Sequence, residues 1–94
     1  METELFEWDD EKAALNIRIH EVDFQEARTV FEDPFAITVS DDLHSEEEDR
    51  WILLGLSLLS RVLLVIYTER EERFRLISAR KATPAERFQY ESDR

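Results

Sequence analysis

Three strand-like segments follow one another closely in the second half of the chain, and a shorter one precedes them. The four segments are residues 35–40, Trp51 to Leu58, Arg61 to Thr68 and Arg73 to Arg80. Apolar or β-branched residues dominate the middle two, and the outer two alternate in polarity. Short turns, predicted at Leu59–Ser60 and Glu69–Glu71, join the last three as they would join neighbouring antiparallel strands. The pattern predicts a four-stranded meander.

The first half of the chain has helical periodicity instead. Residues 10–20 predict a helix whose N-cap is Asp9 or Asp10, and Asp23 with Glu26 has capping-box spacing at the start of a second helix. The second helix ends before Pro34, because the residue before a proline is pushed out of the α region. Several apolar residues are expected to face the core: Ala13, Ala14, Ile17, Phe24, Ala27, Val30 and Phe31, with Leu15 as a further candidate.

A short strand at Leu5 to Trp8 and a third helix complete the predicted elements. Thr83-Pro84-Ala85-Glu86 combines an N-cap, a proline at the first helical position and a glutamate at the third, which indicates a helix from about Pro84 to Glu91. Helices followed by strands are typical of α+β proteins with an antiparallel sheet. With 94 residues, 43% of them hydrophobic, we expect a single domain over 1–94, with Phe74 and Phe88 also in its core.

Composition excludes several kinds of site. The chain has no cysteine, so disulfide scaffolds, thiolate metal sites and cysteine nucleophiles are ruled out. The chain has two histidines, His20 and His44, so the one metal site that remains conceivable is a mixed site of His44 with Asp42, Glu46 or Glu48. The acidic run at residues 41–49 is, however, more typical of a solvated loop. The acidic N-terminus is unlike a signal peptide, and the longest apolar run is too short for a bilayer. We expect a cytoplasmic protein without membrane contact.

Charge is distributed unevenly. Residues 1–50 contain 4 Lys and Arg against 17 Asp and Glu, whereas residues 51–94 contain 8 against 6, and the net charge is -11. Five cations of the basic segment, Arg73 to Arg87, are opposed within that segment only by Glu86: Arg73, Arg75, Arg80, Lys81 and Arg87. An acidic protein repels nucleic acid at long range, yet a local cationic patch can still bind phosphate. Alternatively, this segment neutralises the acidic half through ion pairs.

Three features could carry chemistry. Lys12, Asn16 and His20 form a polar stripe on one helix face. The alternative interpretation of this stripe is a solvated helix surface without a chemical role. The arginines of the basic segment could hold a scissile phosphate, and Tyr90 or His20 could move protons. Metal-free RNA cleavage by attack of a 2′-hydroxyl requires only such groups, so composition permits this reaction.

Blocks of sequence along nearly the whole chain match one family in order. They are Phe6-Glu7-Trp8-Asp9, Lys12, Asn16, His20, Val30-Phe31-Glu32-Asp33-Pro34, His44-Ser45-Glu46, Glu48, Arg50, Gly55, Tyr67-Thr68-Glu69-Arg70, Arg75-Leu76-Ile77-Ser78-Ala79-Arg80-Lys81-Ala82-Thr83, Glu86-Arg87 and Tyr90. The chain resembles BrnT-type ribonuclease toxins, and the block from Ile77 to Thr83 is the most specific. The resemblance implies a RelE-like fold and a type II toxin–antitoxin role. It also implies a DNA-binding antitoxin that represses the shared operon, and a toxin dimer within a two-plus-two assembly.

Candidate site residues follow from the chemistry and the resemblance together. The catalytic candidates are His20, Arg75, Arg80 and Tyr90, and the RNA-binding candidates are Lys12, Arg50, Arg73 and Lys81, with no cofactor and no metal. Ile19 and Glu21 depart from the family, which usually has Lys and Gly there, and Glu21 is expected to strain a turn. These departures leave an alternative, a catalytically weak toxin-like protein that binds an antitoxin and regulates its operon.

Overall fold

The structure is a computed structural model that describes residues 1–45 and 48–92. Its strands are β1 (Phe6–Glu7), β2 (Ile37–Ser40), β3 (Arg50–Leu56), β4 (Val62–Arg70) and β5 (Arg73–Lys81). Its α-helices are α1 (Asp10–His20), α2 (Phe24–Ala27) and α3 (Pro84–Ser92), and single 3₁₀ segments cover Arg28–Glu32 and Asp42–His44. The predicted α+β class is confirmed, and each predicted strand and helix has a counterpart. The second helix is shorter than predicted, because it is α-helical only over Phe24–Ala27 and continues as the 3₁₀ segment Arg28–Glu32.

One five-stranded sheet organises the chain, in the order β1-β5-β4-β3-β2. The four strands β2 to β5 form the predicted antiparallel meander. The sheet as a whole is mixed, however, because β1 pairs with β5 in parallel through Phe6 with Phe74 and Glu7 with Arg75. No hairpin joins these two strands, so the turn signals that predicted an antiparallel sheet did not apply to β1.

A β-bulge at Ile77 changes which residues of β5 share a face. Tyr67 pairs with Leu76 and Ile66 pairs with Ser78, so Ile77 is the extra residue. Strict alternation predicted Ala79 on the face opposite Leu76, yet both are fully buried. The prediction is therefore wrong beyond Leu76, since the bulge reverses the alternation.

The core lies between one face of the sheet and the segments of α1, α2 and the following 3₁₀ turn. Its buried residues are Trp8, Val22, Phe24, Ala27, Val30, Leu53, Leu63, Val65, Tyr67, Leu76 and Ala79. Phe31 packs edge-on against Tyr67, with ring centroids 4.9 Å apart, and also contacts Phe74. Several core predictions are wrong. Phe88 is 71% exposed on α3, and three predicted core residues of α1 are exposed: Ala14, Leu15 (48%) and Ile17 (46%).

Asn16, rather than Ile17, is the α1 residue that enters the interior. Its amide nitrogen donates to Ala79 O at 2.8 Å and to Val22 O at 2.9 Å, and its amide oxygen accepts from Ala79 N at 3.1 Å. β1 covers only the first residues of β5, so this amide continues the hydrogen bonding of a strand at Ala79. Asn16 is buried, and the interpretation of it as part of a solvated stripe is wrong.

Glu26 links α2 to the turn between β3 and β4. The expected capping box is wrong, because Asp23 accepts from Gln25 N while Glu26 turns away from the cap. Glu26 instead accepts from Ser57 Oγ at 2.7 Å and from Arg61 Nε at 2.9 Å. The Arg61 hydrogen bonds lower the pKa of this buried carboxyl, which therefore stays charged.

Three glutamates occupy left-handed backbone positions. Glu21 ends α1 with φ 57°, which confirms that it stands in a glycine-type turn. Glu71 and Glu72 (φ 51° and 67°) join β4 to β5, so the turn comes later than predicted, and Glu69 and Arg70 belong to β4 instead. Among the residues described, no helix is long and apolar enough to cross a membrane.

Candidate functional site

The second face of the sheet, opposite the core, brings three predicted arginines onto one surface. Arg50 is paired with Thr68, and Thr68 with Arg75, so these side chains form a row across β3, β4 and β5. Two strand spacings place the Cα atoms of Arg50 and Arg75 roughly 10 Å apart. Because of the bulge, Ser78 and Arg80 follow on the same face. We call this surface, which also includes Ile52 and Ile66, the second face.

Thr68 stands at the centre of the row and is buried. It is 1% exposed, and its hydroxyl donates to Asp49 O at 2.6 Å, a carbonyl just before Arg50. This contact ties the start of β3 to β4 and so limits the backbone freedom of Arg50.

Acidic partners surround the cations of β5. The ion pairs are Arg73 with Glu2 at 3.4 Å, Arg75 with Glu7 at 2.8 Å, Arg80 with Glu86 at 2.7 Å and Lys81 with Glu21 at 3.3 Å. Arg73 also donates from Nε to Thr3 O at 2.8 Å. Three of the four acids come from the first half of the chain, which favours the interpretation that the basic segment neutralises the acidic half.

Arg80 and Glu86 form the most complete of these pairs. The two terminal nitrogens of Arg80 donate to the two carboxylate oxygens of Glu86, at 2.7 and 2.8 Å. Glu86 also accepts from Thr83 N, and Glu86 N donates to Thr83 Oγ1, so the predicted capping box of α3 is confirmed. The Arg80 hydrogen bonds lower the pKa of Glu86 to about 2, and Glu86 in turn raises the pKa of Arg80.

Arg50 differs from the arginines of β5. It is half-buried on the second face, and no described residue forms an ion pair with it. Among the described residues, therefore, no acidic side chain occupies the N–H donors of the Arg50 guanidinium, and they can bind an anionic ligand.

Tyr90 lies apart from the arginine row. It is 2% exposed, and its hydroxyl donates to Asp33 Oδ2 at 2.5 Å. The same carboxylate oxygen accepts from Leu56 N at 2.8 Å, while Oδ1 accepts from Phe35 N. Tyr90 thus connects α3 to the end of β3.

His20 and Lys12 lie together at the edge of β5. They line a groove of about 270 Å³ between α1 and β5, whose other lining residues are Leu15, Asn16, Ile19, Ile77 and Ser78. Ser78 belongs both to this groove and to the second face. The structure therefore gathers Arg50, Arg75 and Arg80 on the second face, with His20 and Lys12 beside it.

The acidic segment around His44 does not assemble a metal site from the described residues. His44 Nδ1 lies 3.0 Å from both carboxylate oxygens of Asp41, Glu48 pairs with Arg70, and Asp42 accepts from Ser40. Glu46 is outside the residues that are described. Within residues 1–45 and 48–92, no group of three His, Asp or Glu side chains is placed to hold a metal ion.

Sequence reasoning missed Thr68, Ser78 and Glu7 as members of this region. Thr68 and Ser78 join it through strand register and the bulge, which no local pattern reveals. Glu7 pairs with Arg75 across 68 residues of sequence. The parallel pairing of β1 with β5 accounts for that contact.

Comparison with known proteins gives both a family match and structural similarity. Residues 8–86 match the family described as the ribonuclease toxin, BrnT, of type II toxin-antitoxin systems. The fold is similar to the 1.1 Å crystal structure of the Brucella abortus ribonuclease toxin BrnT, with a TM-score of 0.64 and 20% sequence identity over 84% of this chain and 97% of that one. No curated protein matches the sequence.

Proposed function

This chain belongs to the BrnT family of ribonuclease toxins of type II toxin–antitoxin systems, and we propose that it cleaves RNA on the second face of its sheet. The observation that carries the proposal is the row of Arg50, Thr68 and Arg75 across three adjacent strands. We further propose that residues 1–94 form one toxin domain of the RelE-like type.

Arg50 and Arg75 are proposed to hold the scissile phosphate and to offset the charge that develops on it. Arg50 has no acidic partner among the described residues. Arg75 uses NH1 for Glu7, which leaves other N–H donors of its guanidinium for a phosphate oxygen. Arg80 commits both terminal nitrogens to Glu86, so we assign it a supporting electrostatic role.

His20 is the proposed proton carrier. In metal-free cleavage the 2′-hydroxyl oxygen attacks the adjacent phosphorus, its proton passes to a base, and the 5′-oxygen leaves as it gains a proton. The products are a 2′,3′-cyclic phosphate and a 5′-hydroxyl. An imidazole suits this exchange because one ring nitrogen can accept a proton while the other donates one. Tyr90 was the other candidate, but its hydroxyl is buried against Asp33, so we place it second.

The partner implied by the family is an antitoxin. We propose that it is a DNA-binding protein that covers the toxin, that the complex represses its own operon, and that two toxins and two antitoxins assemble together. RNA in the cytoplasm is the proposed substrate.

A paired toxicity and cleavage assay tests the proposal. Expression without antitoxin should arrest growth and degrade RNA, and the purified protein should cleave RNA in the presence of EDTA. Arg50→Ala and Arg75→Ala should each lower cleavage by about 10²–10³-fold, since each removes a donor to the reacting phosphate. Arg18→Ala, an exposed change on α1, is the matched control. The proposal is wrong if the folded wild-type protein is as harmless and inactive as the two variants.

A second candidate, a toxin-like protein with weak or no activity, is favoured by the ion pairs on β5. Every cation of that strand faces a carboxylate, and the net charge of -11 opposes RNA binding. Such a protein would bind its antitoxin tightly but would leave RNA intact in the same cleavage assay.

A further inference from the structure

We propose that the groove between α1 and β5 is a subsite for one nucleobase of the RNA, an inference that rests on the proposed function. The groove lies at the β5 edge of the second face, and Ser78 lines both surfaces. Arg75 pairs with Thr68 and Ser78 pairs with Ile66, which is two residues away from Thr68 on β4. Ser78 and Arg75 are therefore roughly 7 Å apart along the strand direction. A nucleotide whose phosphate meets the arginine row therefore has this groove within reach.

The walls of the groove are apolar and exposed. Leu15 and Ile19 on α1 are 48% and 61% exposed, and Ile77, the bulge residue, faces them from β5. Isolated apolar side chains on a surface are ordinary, but three that converge on a concave site are typical of ligand pockets. The bulge produces this arrangement, because it turns Ile77 out of the regular alternation of β5.

The groove is also fixed in shape. Asn16 forms part of its lining and holds α1 to β5 through two hydrogen bonds with the backbone of Ala79. At about 270 Å³ it falls just below the ~300–1,000 Å³ of pockets for drug-sized ligands. A single heteroaromatic ring suits that volume, whereas a helix of a protein partner would need a longer channel.

Polar groups at the rim match a nucleotide. Lys12 is exposed and forms no ion pair with any described residue, unlike the four cations of β5, so its ammonium can meet a phosphate. Ser78 offers a hydroxyl for the edge of a base. Apolar walls with few polar groups bind a ring and fix its orientation, and this groove would therefore set the nucleotide preference next to the cleaved bond.

Isoleucine side chains allow a direct test by methyl NMR of the full chain. Ile19 and Ile77 report on the groove, Ile52 and Ile66 on the second face, and Ile37 on the far edge of the sheet. Titration with AMP, CMP, GMP and UMP should shift the Ile19 and Ile77 methyl signals, more strongly for one base than for the others. Ile37 should not shift.

A matched pair of variants adds a second measurement. Ile19→Ser removes a wall of the groove, whereas Ile17→Ser makes the same change at an exposed position of α1 that does not line it. Ile19→Ser should weaken binding of the preferred nucleotide about tenfold and alter the pattern of cleavage sites, while Ile17→Ser should leave both unchanged.

Three other outcomes of the methyl NMR titration would each refute part of the proposal. Shifts at Ile52 and Ile66 alone would refute the groove subsite and leave RNA binding on the second face intact. Shifts at Ile19 and Ile77 only when the cognate antitoxin is added would make the groove a protein interface instead. If nucleotides shift no methyl signal and RNA is not cleaved, the subsite and the proposed function both fail.

Discussion

Arg80 donates from both terminal nitrogens to the carboxylate of Glu86, which also caps the first turn of α3. One carboxylate thus connects the last residues of β5 to the helix that follows. Its three N–H partners favour the charged form, and Arg80 accounts for most of the resulting fall in its pKa to about 2.

This pair should make stability depend on pH in the acid range. The pKa of Glu86 falls from 4.5 unfolded to about 2 folded, so its contribution is complete above pH 4.5 and is lost as the pH falls toward 2. After allowance for solvent screening of a partly exposed pair, we expect about 1–2 kcal/mol. Urea denaturation at pH 7 and pH 3 measures it. Glu86→Gln should lose this part of the acid dependence, whereas Glu91→Gln should retain it.

The elements that sequence predicted well depend on local signals. The α1 helix, the Thr83–Glu86 cap and the order of the meander each follow from residues within a few positions of one another. The arrangement of the site does not. Strict alternation failed at Ile77 because a bulge depends on both strands, and the partner of Arg75 lies in β1, far away in sequence. The sequence therefore predicted which residues are charged, but only the strand register shows which of them share a face of the sheet.

Asn16→Ala should destabilise the fold. The substitution leaves the N–H and C=O of buried Ala79 without the amide that satisfies them, and Val22 O loses a donor. Unsatisfied buried groups cost about 1–3 kcal/mol each, and partial hydration at the edge of β5 should keep the total near 3 kcal/mol. Urea denaturation measures the loss. Arg18→Ala, exposed on the same helix, should change stability by less than about 0.5 kcal/mol.

Gly55→Ala should also be destabilising, although alanine normally suits a strand better than glycine. A Cβ at this position would lie 2.9 Å from Ala36 Cβ, 2.9 Å from Val30 Cγ1 and 3.0 Å from Asp33 Oδ2. Overpacking of this kind costs about 1–3 kcal/mol. Thermal unfolding followed by circular dichroism measures it, and equal stability of the variant and the wild type would contradict the close approach of Gly55 to these side chains.

Glu21→Gly should stabilise the protein. Glu21 adopts φ 57° and ψ 33° at the C-terminus of α1, a conformation that costs a residue with a Cβ about 1–2 kcal/mol and costs glycine little. Loss of the exposed contact with Lys81 should matter little. We expect a gain of about 1 kcal/mol in the free energy of unfolding. Glu21→Ala is the control, because it removes the carboxylate and retains the strain; an equal gain in both variants would show that charge, not backbone geometry, is responsible.

Glu7→Gln should strengthen RNA binding. Glu7 Oε2 accepts from Arg75 NH1 at 2.8 Å, so the carboxylate competes with a phosphate for the guanidinium. Glutamine keeps the shape and an acceptor oxygen but removes the negative charge beside the arginine row. At low salt we expect about three- to tenfold tighter binding, with a steeper dependence on salt because one more cation meets RNA. Fluorescence anisotropy with a fully 2′-O-methylated RNA, which cannot react by 2′-hydroxyl attack, measures affinity without cleavage. Glu11→Gln makes the same change in net charge on the exposed surface of α1. If the two variants gain equally, overall charge controls binding and the Glu7–Arg75 pair has no special part in it.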